Sequence, residues 1–282
     1  MEDPLTGHFP SRTLIDEEEE REAQQWAGRY ATPPQLKWHE DAQAHLKGQV
    51  LPADILIVAT SPAACALLER CLQSTSQVVG SLWQPEILQE APVALRALVE
   101  GPAGRDAATQ LLYSPRDRTA VALCSSLIPP ERAAAWVEGM LSHVEAQHAV
   151  VVASLPAREY IGVGDPTQES LQYVLESTAA TGSCTHGLPY LPTGNLVSGL
   201  PAALMSCCQV QQRAATLLLS VDASPMPDSS CIQAIARALT KLLSSLGAAE
   251  LAAQARRPDV VSDVCKSTKQ AARLSDRAAL YL

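Results

Sequence analysis

The chain has 282 residues, of which 47% are hydrophobic, so it is long enough and apolar enough to fold around a substantial core. The formal net charge of -9 argues against nucleic acid or an anionic membrane surface as a partner, because both attract basic proteins. No apolar run reaches the roughly 18 residues that a membrane-spanning helix requires. The first residues lack the basic and apolar regions of a secretory signal. These features predict a cytoplasmic protein, or one that also enters the nucleus.

The eight cysteines are expected to be reduced thiols. Most lie within apolar stretches, where cysteine behaves as a small hydrophobic residue, and none are spaced as Cys-x-x-Cys. In a reducing compartment such cysteines do not form structural disulfides. They are Cys65, Cys71, Cys124, Cys184, Cys207, Cys208, Cys231 and Cys265.

Residues 1–48 are predicted to form an acidic and mostly flexible arm. They contain the run DEEEE at positions 16–20, and a block of like charges repels itself and stays solvated. Part of residues 17–29 is compatible with a helix. Two interpretations of the acidic run remain open: a solvated tail and a specific acidic contact.

Residues 49–262 predict one α/β domain. Continuous apolar runs are typical of strands that are buried on both faces, and here they alternate with segments of helical spacing. Ser61 followed by Pro62 is a typical helix start. This alternation predicts a largely parallel sheet covered by helices on both faces. The predicted strands are 55–59, 118–127, 148–155 and 214–222, and the predicted helices are 62–73, 129–146, 200–212, 229–247 and 248–256.

No complete catalytic, cofactor or metal motif is present. Gly162 and Gly164 lack the third glycine of a dinucleotide-binding loop. Ser198 lacks the glycines that a nucleophile elbow needs two residues before and two after the serine. Cys184 and His186 have no second ligand pair at a spacing typical of zinc sites. An α/β fold without these motifs favours a binding protein that uses no cofactor and no metal.

The segment LPTGNLVSGLPAALMSCCQVQQRAATLLLSVD at 191–222 is the most informative. Gly194 and Gly199 enclose a short apolar strand at 196–197, and Pro201 falls in the first turn of a helix. The segment resembles the proteasome assembly chaperone 1 family, which carries Asn-hydrophobic-Val, then x-x-Leu-Pro-Ala-Ala, then Ser-x-Cys-Gln-Val. The matching residues are Asn195, Val197, Leu200, Pro201, Ala202, Ala203, Ser206, Cys208, Gln209 and Val210.

The end of the chain is similar to the same family. Residues 263–282 read as a flexible polar tail that ends on Leu280, Tyr281 and Leu282, and the family finishes on hydrophobic-Tyr-any. The triplet Trp-Val-Glu at 136–138 resembles a Trp-Leu-Glu helix of the family, and the acidic run of the arm is similar as well. The chain departs from the family in being richer in alanine and poorer in phenylalanine.

The resemblance implies a three-layer α/β/α domain and a non-enzymatic chaperone that promotes assembly of the 20S proteasome. It implies a heterodimer with proteasome assembly chaperone 2 on the α-subunit ring. The terminal residues Leu280, Tyr281 and Leu282 would then insert between neighbouring α subunits. Two other classes stay open: an α/β hydrolase or nucleoside-processing enzyme, and a structural subunit of another complex.

Overall fold

An eight-stranded sheet lies at the centre of the structure. The structure is a computed structural model that describes residues 33–73, 75–83, 109–124, 128–181, 187–224 and 228–279. The strands are β1 (Gln35–Trp38), β2 (Leu51–Ala59), β3 (Gln77–Trp83), β4 (Thr109–Ser114), β5 (Thr119–Leu123), β6 (Val144–Pro156), β7 (Gln172–Glu176) and β8 (Ala214–Asp222).

The order of the strands across the sheet is β1-β3-β4-β5-β2-β6-β8-β7. The four central strands β5, β2, β6 and β8 run parallel to one another, as the sequence predicts. Strands β4, β3 and β1 extend one side in antiparallel pairs, and β7 pairs antiparallel with β8 on the other side. The sheet is therefore mixed, with a parallel centre and antiparallel sides.

Helices cover both faces of this sheet, which confirms the predicted three-layer arrangement. Helices α2 and α3 pack on one face, and helices α1, α4, α5 and α6 pack on the other. The helices are α1 (Pro62–Leu72), α2 (Pro130–His143), α3 (Gly199–Val210), α4 (Ser229–Leu246), α5 (Ala249–Arg256) and α6 (Pro258–Ala279).

Strand β2 shows why the central strands read as unbroken apolar runs. Ile55 and Ile57 belong to the core on the α1 and α4 side, whereas Leu56 and Val58 belong to the core on the α2 and α3 side. Because successive side chains point to opposite faces, a strand covered on both faces needs an apolar residue at every position.

The helix starts follow from local hydrogen bonds. The Ser61 side chain accepts a hydrogen bond from the backbone N–H of Ala64 at 3.2 Å, and Pro62 is the first helical residue, as predicted. Asp228 caps α4 in the same way, accepting from the N–H of Cys231 at 2.7 Å. These caps pair backbone donors that have no partner inside the helix.

The folded body begins earlier than the sequence predicts. The predicted arm includes residues 33–48, but β1 lies inside this range and pairs with β3 at the side of the sheet. Leu36 and Trp38 alternate with polar residues and pack against the core, and Pro34 lies against Gly139 of α2. The alternation places these apolar side chains on one face, which binds the segment to the domain. The acidic run at 16–20 lies outside the described residues.

The chain after residue 262 also differs from the prediction. The sequence predicts a flexible tether, but α6 continues as a helix through 263–279. Val260 and Val264 lie one helical turn apart and are buried against the core, and Arg70 of α1 forms an ion pair with Asp263 at 2.7 Å. A stripe of this spacing anchors a helix even when most of its residues are polar. The predicted strand at 196–197 is irregular backbone instead.

Seven cysteines lie within the described residues, and all seven are free thiols. Burial raises the pKa of Cys71 to about 12, so this thiol stays protonated at neutral pH. Cys184 lies outside the described residues.

A buried histidine predicts a pH-dependent stability. Nε2 of His148 on β6 lies 2.9 Å from Oγ1 of Thr216 on β8. Burial lowers the pKa of His148 below its ordinary value of 6.5, and nearby Glu176 opposes this shift. The folded state thus prefers neutral imidazole. The stabilisation that comes from this preference is complete when the pH is above the His148 pKa of the unfolded chain. It is lost as the pH falls through 6.5 toward the lower pKa of His148 in the folded state.

We therefore expect the free energy of unfolding to fall between about pH 8 and about pH 5, the range in which an ordinary histidine titrates. His148→Gln keeps a hydrogen-bonding side chain but does not titrate, so its stability should depend less steeply on pH. Urea unfolding of both proteins across this range measures the difference. Parallel pH profiles would show that His148 contributes nothing to the pH dependence.

Candidate partner-binding surface

The exposed large hydrophobic side chains of the described residues all lie between β6 and β8 in the sequence. Leu196 and Val210 are each 82% exposed, and Val163 is 92% exposed. Ile161 and Tyr190 are more than half exposed. Single exposed apolar residues are ordinary, but their restriction to one connection indicates a surface that another protein covers.

Asn195 joins the two loops that carry three of these side chains. Its Nδ2 donates to the carbonyl oxygens of Ile161 at 2.7 Å and Pro192 at 2.9 Å, and its Oδ1 accepts from the N–H of Ile161 at 2.8 Å. Ile161 therefore lies beside Leu196, and the side chain of Asn195 satisfies backbone groups of both loops. We name the exposed group Ile161, Val163 and Leu196 the apolar loop surface.

Two tyrosines support the first of these loops from below. The rings of Tyr160 and Tyr173 stack with their centroids 5.6 Å apart, and their hydroxyl groups are hydrogen-bonded to each other. The Tyr160 hydroxyl also lies 2.9 Å from the carbonyl oxygen of Val163. These contacts hold Val163 in its exposed position. Its backbone carbonyl accepts a hydrogen bond from Tyr160, whose ring stacks on Tyr173 of β7.

Helix α3 continues the uncharged character of this region. Leu200, Leu204 and Cys208 are buried against the sheet and form the apolar face of the helix. The opposite face contains no charged residue and ends in the exposed Val210. A helix at the surface of a soluble domain ordinarily carries charges on its outer face, so the absence of charge on α3 favours contact with a protein.

Gln209 fixes the C-terminal end of α3 to the loop that follows β7. Its Oε1 accepts from the N–H of Thr178 at 2.9 Å, and its Nε2 donates to Oγ1 of the same residue at 2.9 Å. Asn195 and Gln209 thus hold backbone in place at the two ends of the segment. Leu196 and Val210, which stand next to them, make no comparable contribution to packing because both are exposed.

The sequence contains a signal for this surface that motif searching overlooks. Residues 177–212 include no Asp, Glu, Lys or Arg, although the chain as a whole is 18% charged. A long uncharged segment that folds at the surface exposes apolar or neutral groups to solvent. The exposure itself cannot be predicted from the sequence, because it depends on which face α3 presents to the sheet.

The predicted binding residues Leu280, Tyr281 and Leu282 lie outside the described residues. Helix α6 ends at Ala279, directly before them. Their insertion into a pocket of another protein therefore stays a prediction.

The carboxyl edge of the parallel strands carries a polar cluster. The Ser220 hydroxyl donates to Oδ1 of Asp222 at 2.8 Å, and the thiol of Cys231 lies 3.2 Å from the same oxygen. Burial raises the pKa of Cys231 to about 12, with further contributions from Asp222. The thiol therefore acts as a protonated donor to a carboxylate, and the geometry does not produce a reactive thiolate.

The other residues considered for chemistry do not assemble into a site. Ser198 is exposed at the start of α3, and its side chain makes no capping hydrogen bond. Within the described residues no group of three or more His, Cys, Asp or Glu side chains could hold a metal ion. Cys184 and His186 lie outside this part of the chain. Among the helices that the structure describes, none has both the length and the apolar composition needed to cross a bilayer.

Comparison with known proteins gives one curated relative and several solved structures. Proteasome assembly chaperone 1 of Nematostella vectensis is 26% identical to this chain over 148 residues. The match covers 51% of this chain and 57% of the relative, so the chain spans little more than half the length of that protein. No family model matches the sequence.

Three similar structures of archaeal proteins share the fold at low sequence identity. Pyrococcus furiosus PbaB, an archaeal proteasome activator, has a TM-score of 0.54 at 12% identity, with 86% of this chain and 99% of that chain covered. Pyrococcus furiosus PbaA, an archaeal homolog of proteasome-assembly chaperone, has a TM-score of 0.52 at 15% identity, with 89% and 100% covered. A protein of unknown function from Thermoplasma acidophilum has a TM-score of 0.54 at 12% identity, with 85% and 97% covered.

These structures define the class of the fold, a three-layer α/β domain with a mixed central sheet of the PbaA and PbaB type. The relative found by sequence points to one family and not only to a fold. The resemblance to the proteasome assembly chaperone 1 family, first seen in the block from Asn195 to Val210, is confirmed by the match to the Nematostella vectensis protein.

Replacing exposed members of the surface should separate binding from folding. In a Leu196→Ser/Val210→Ser variant we expect the free energy of unfolding to change by less than about 1 kcal/mol, because both side chains are exposed. Self-association of the isolated chain should decrease, since the variant exposes less apolar area. Sedimentation velocity and urea unfolding measure the two effects.

Leu204→Ala is the matched control on the buried face of the same helix. Leu204 is 0% exposed, so its truncation should cost about 2–5 kcal/mol of stability. A double serine variant as unstable as this control would show that Leu196 and Val210 belong to the fold instead of to a binding surface.

Proposed function

We propose that this chain is a non-enzymatic chaperone that promotes assembly of the 20S proteasome. The proposal rests above all on the block from Asn195 to Val210. This block matches the proteasome assembly chaperone 1 family, and it exposes two apolar residues that the fold itself does not use. The 26% identical relative and the fold shared with PbaA and PbaB support the same assignment. We propose that it acts in the cytoplasm, or in the cytoplasm and also the nucleus.

We infer further that the chain acts as a heterodimer with proteasome assembly chaperone 2. Support comes from the uncharged outer face of α3 and the apolar loop surface beside its first residue. Stable protein interfaces bury about 1,200–2,000 Å² in total and are depleted of charge at their centre. The uncharged segment 177–212 supplies such a centre.

The proposed second contact joins the chain to the α-subunit ring through Leu280, Tyr281 and Leu282. Helix α6, which leads to these residues, packs on the α1 and α4 side of the sheet, whereas α3 packs on the other side. The partner chaperone and the ring would therefore bind to different layers of the domain. Enclosing Leu280 contributes roughly 1.5–3 kcal/mol, and the Tyr281 ring contributes a similar amount with a hydroxyl group that can find a partner.

A heterodimer predicts a solubility effect. Expressed alone, the chain should self-associate through its uncharged surface, because exposed apolar area is covered by whatever protein is available. Co-expression with proteasome assembly chaperone 2 should raise the soluble yield and give a one-to-one complex on size-exclusion chromatography with light scattering. The control is co-expression with an unrelated soluble domain. A monodisperse monomer that ignores the second chaperone would argue against the heterodimer.

The tail proposal predicts a selective loss of ring binding. Deleting residues 280–282 should weaken binding to purified α-subunit rings by about tenfold or more, because two apolar side chains lose their contacts. Thermal stability and pairing with the second chaperone should stay unchanged. Surface plasmon resonance on immobilised rings measures the first effect, and thermal unfolding measures the second. Loss of folding in the deletion variant would show that these residues belong to the core.

A further inference from the structure

A basic cleft opens where the parallel strands begin. It has a volume of about 540 Å³ and lies at the edge of the sheet opposite to the apolar loop surface. Arg118 and Arg213 directly precede β5 and β8, Lys47 precedes β2, and Glu145 stands at the start of β6. Leu141 of α2 forms part of the wall. Residues at the start of β2 and β6, or directly before β5 and β8, thus contribute to one concave surface.

The cleft carries an excess of positive charge on a chain whose net charge is -9. Among the described residues that line it, Lys47, Arg118 and Arg213 are basic and Glu145 alone is acidic. Asp54 neutralises part of this charge through a contact of 3.4 Å between its Oδ1 and Nε of Arg118. A local patch of the opposite sign concentrates the long-range attraction for an anionic group.

The three basic side chains differ in how much of their binding capacity the fold already uses. Arg213 donates from Nη2 to the carbonyl oxygen of Ala146 at 2.9 Å, which fixes its guanidinium at the wall. The Arg118 side chain is 54% exposed beside Asp54. Lys47 is exposed and forms no ion pair with the described residues. Lys47 is therefore the clearest free cation of the cleft within that part of the chain.

The backbone at the cleft is held in a conformation that side chains rarely adopt. Arg118 has a φ of +46° and Gln212, next to Arg213, has a φ of +54°. They are the non-glycine residues with positive φ in the described part of the chain. Such a conformation costs free energy and persists where the surrounding structure enforces it, often at sites of function. Here it places both arginines at the rim, immediately before the strands that they introduce.

We propose that the acidic run at positions 16–20 of this same chain docks in the cleft. Five consecutive carboxylates match the sign of the cleft, and each can accept charge-assisted hydrogen bonds from lysine and arginine. The arm enters the domain beside α2, where Pro34 lies against Gly139, two residues before Leu141 of the cleft wall. Residues 21–32 span up to about 40 Å when extended, so the run can reach the cleft.

Each ion pair between the acidic run and the cleft contributes little binding free energy, and the total depends on the salt concentration. Solvent-exposed pairs contribute little individually, and ions screen them at physiological ionic strength. The arm is tethered beside the cleft, so it acts at an effective concentration in the millimolar range and competes well with free anions. The acidic run should therefore occupy the cleft to a greater extent at low salt than at high salt. This inference does not depend on the proteasome role proposed above.

Cleavage of the arm by a glutamate-specific protease tests the proposal in the full-length chain. The protease cuts after the glutamates at 17–20, and mass spectrometry of the released N-terminal fragments measures the rate. Lys47→Glu changes the cleft and leaves the substrate sequence intact. We expect this variant to be cut about threefold to tenfold faster than the unmodified chain at low salt, because one attraction becomes a repulsion. At high salt the two rates should converge.

Lys241→Glu is the matched control, since it makes the same change of charge on the exposed side of α4, on the other face of the sheet. Its cleavage rate should equal that of the unmodified chain, and thermal unfolding should show that both variants are folded. Equal rates for the unmodified chain and Lys47→Glu at low salt would overturn the proposal. An equal acceleration in Lys241→Glu would overturn it too, because the effect would then reflect net charge instead of the cleft.

Discussion

Burial of the strands β2 and β6 on both faces is the constraint on which the rest of this structure depends. Neither strand has a polar face over residues 55–59 or 149–152, so each requires a helical layer above and below, and the connections between parallel strands supply the helices. Polar and binding groups are then confined to the two edges of the sheet and to the outer faces of the helices. The basic cleft lies at one edge, and the apolar loop surface lies within the connection between β6 and β8. The contact of the acidic run with the cleft and the contact of a partner with the apolar loop surface are therefore both proposed at positions outside the buried layers.

The same constraint divides the block from Asn195 to Val210 into three roles. Leu200 and Leu204 fill the core, while Asn195 and Gln209 satisfy backbone groups of neighbouring loops. Leu196 and Val210 do neither. Burying them on a partner would recover apolar area that the monomer leaves in water, and the rigid supports beside them reduce the entropy lost on binding. The segment that resembles the family therefore contains both residues that stabilise the fold and exposed residues that are available to a partner.

Sequence reasoning succeeds where one physical signal dominates. The strand at 214–222 is predicted with its observed bounds, and those at 55–59 and 148–155 are found, because an unbroken apolar run between turn residues is typical of a strand buried on both faces. Strands β1, β3, β4 and β7 escape prediction, since their mixed composition depends on pairing with neighbours distant in sequence. Helix α6 reads as a tether because its polar residues conceal the stripe of Val260 and Val264. The apolar loop surface escapes prediction because exposure is set by tertiary packing.

The helical form of residues 263–279 changes the physics of the proposed tail contact. A flexible tether samples many end positions and loses that freedom on binding, whereas a helix has one length and one direction. Helix α6 has 22 residues and so rises about 33 Å, and its first turns are anchored by Val260 and Val264 against the α1 and α4 layer. The end of such a helix reaches a distant pocket at little entropic cost if the pocket lies on its path, and it cannot reach the pocket otherwise. On the proposed ring contact, tail and body would act as a two-point template, in which α6 would set the spacing between the pocket and the surface that the domain contacts. If the proposed ring contact is made, a chain of this geometry would favour rings whose subunits are already correctly spaced, because in any other arrangement the two contacts would exclude each other.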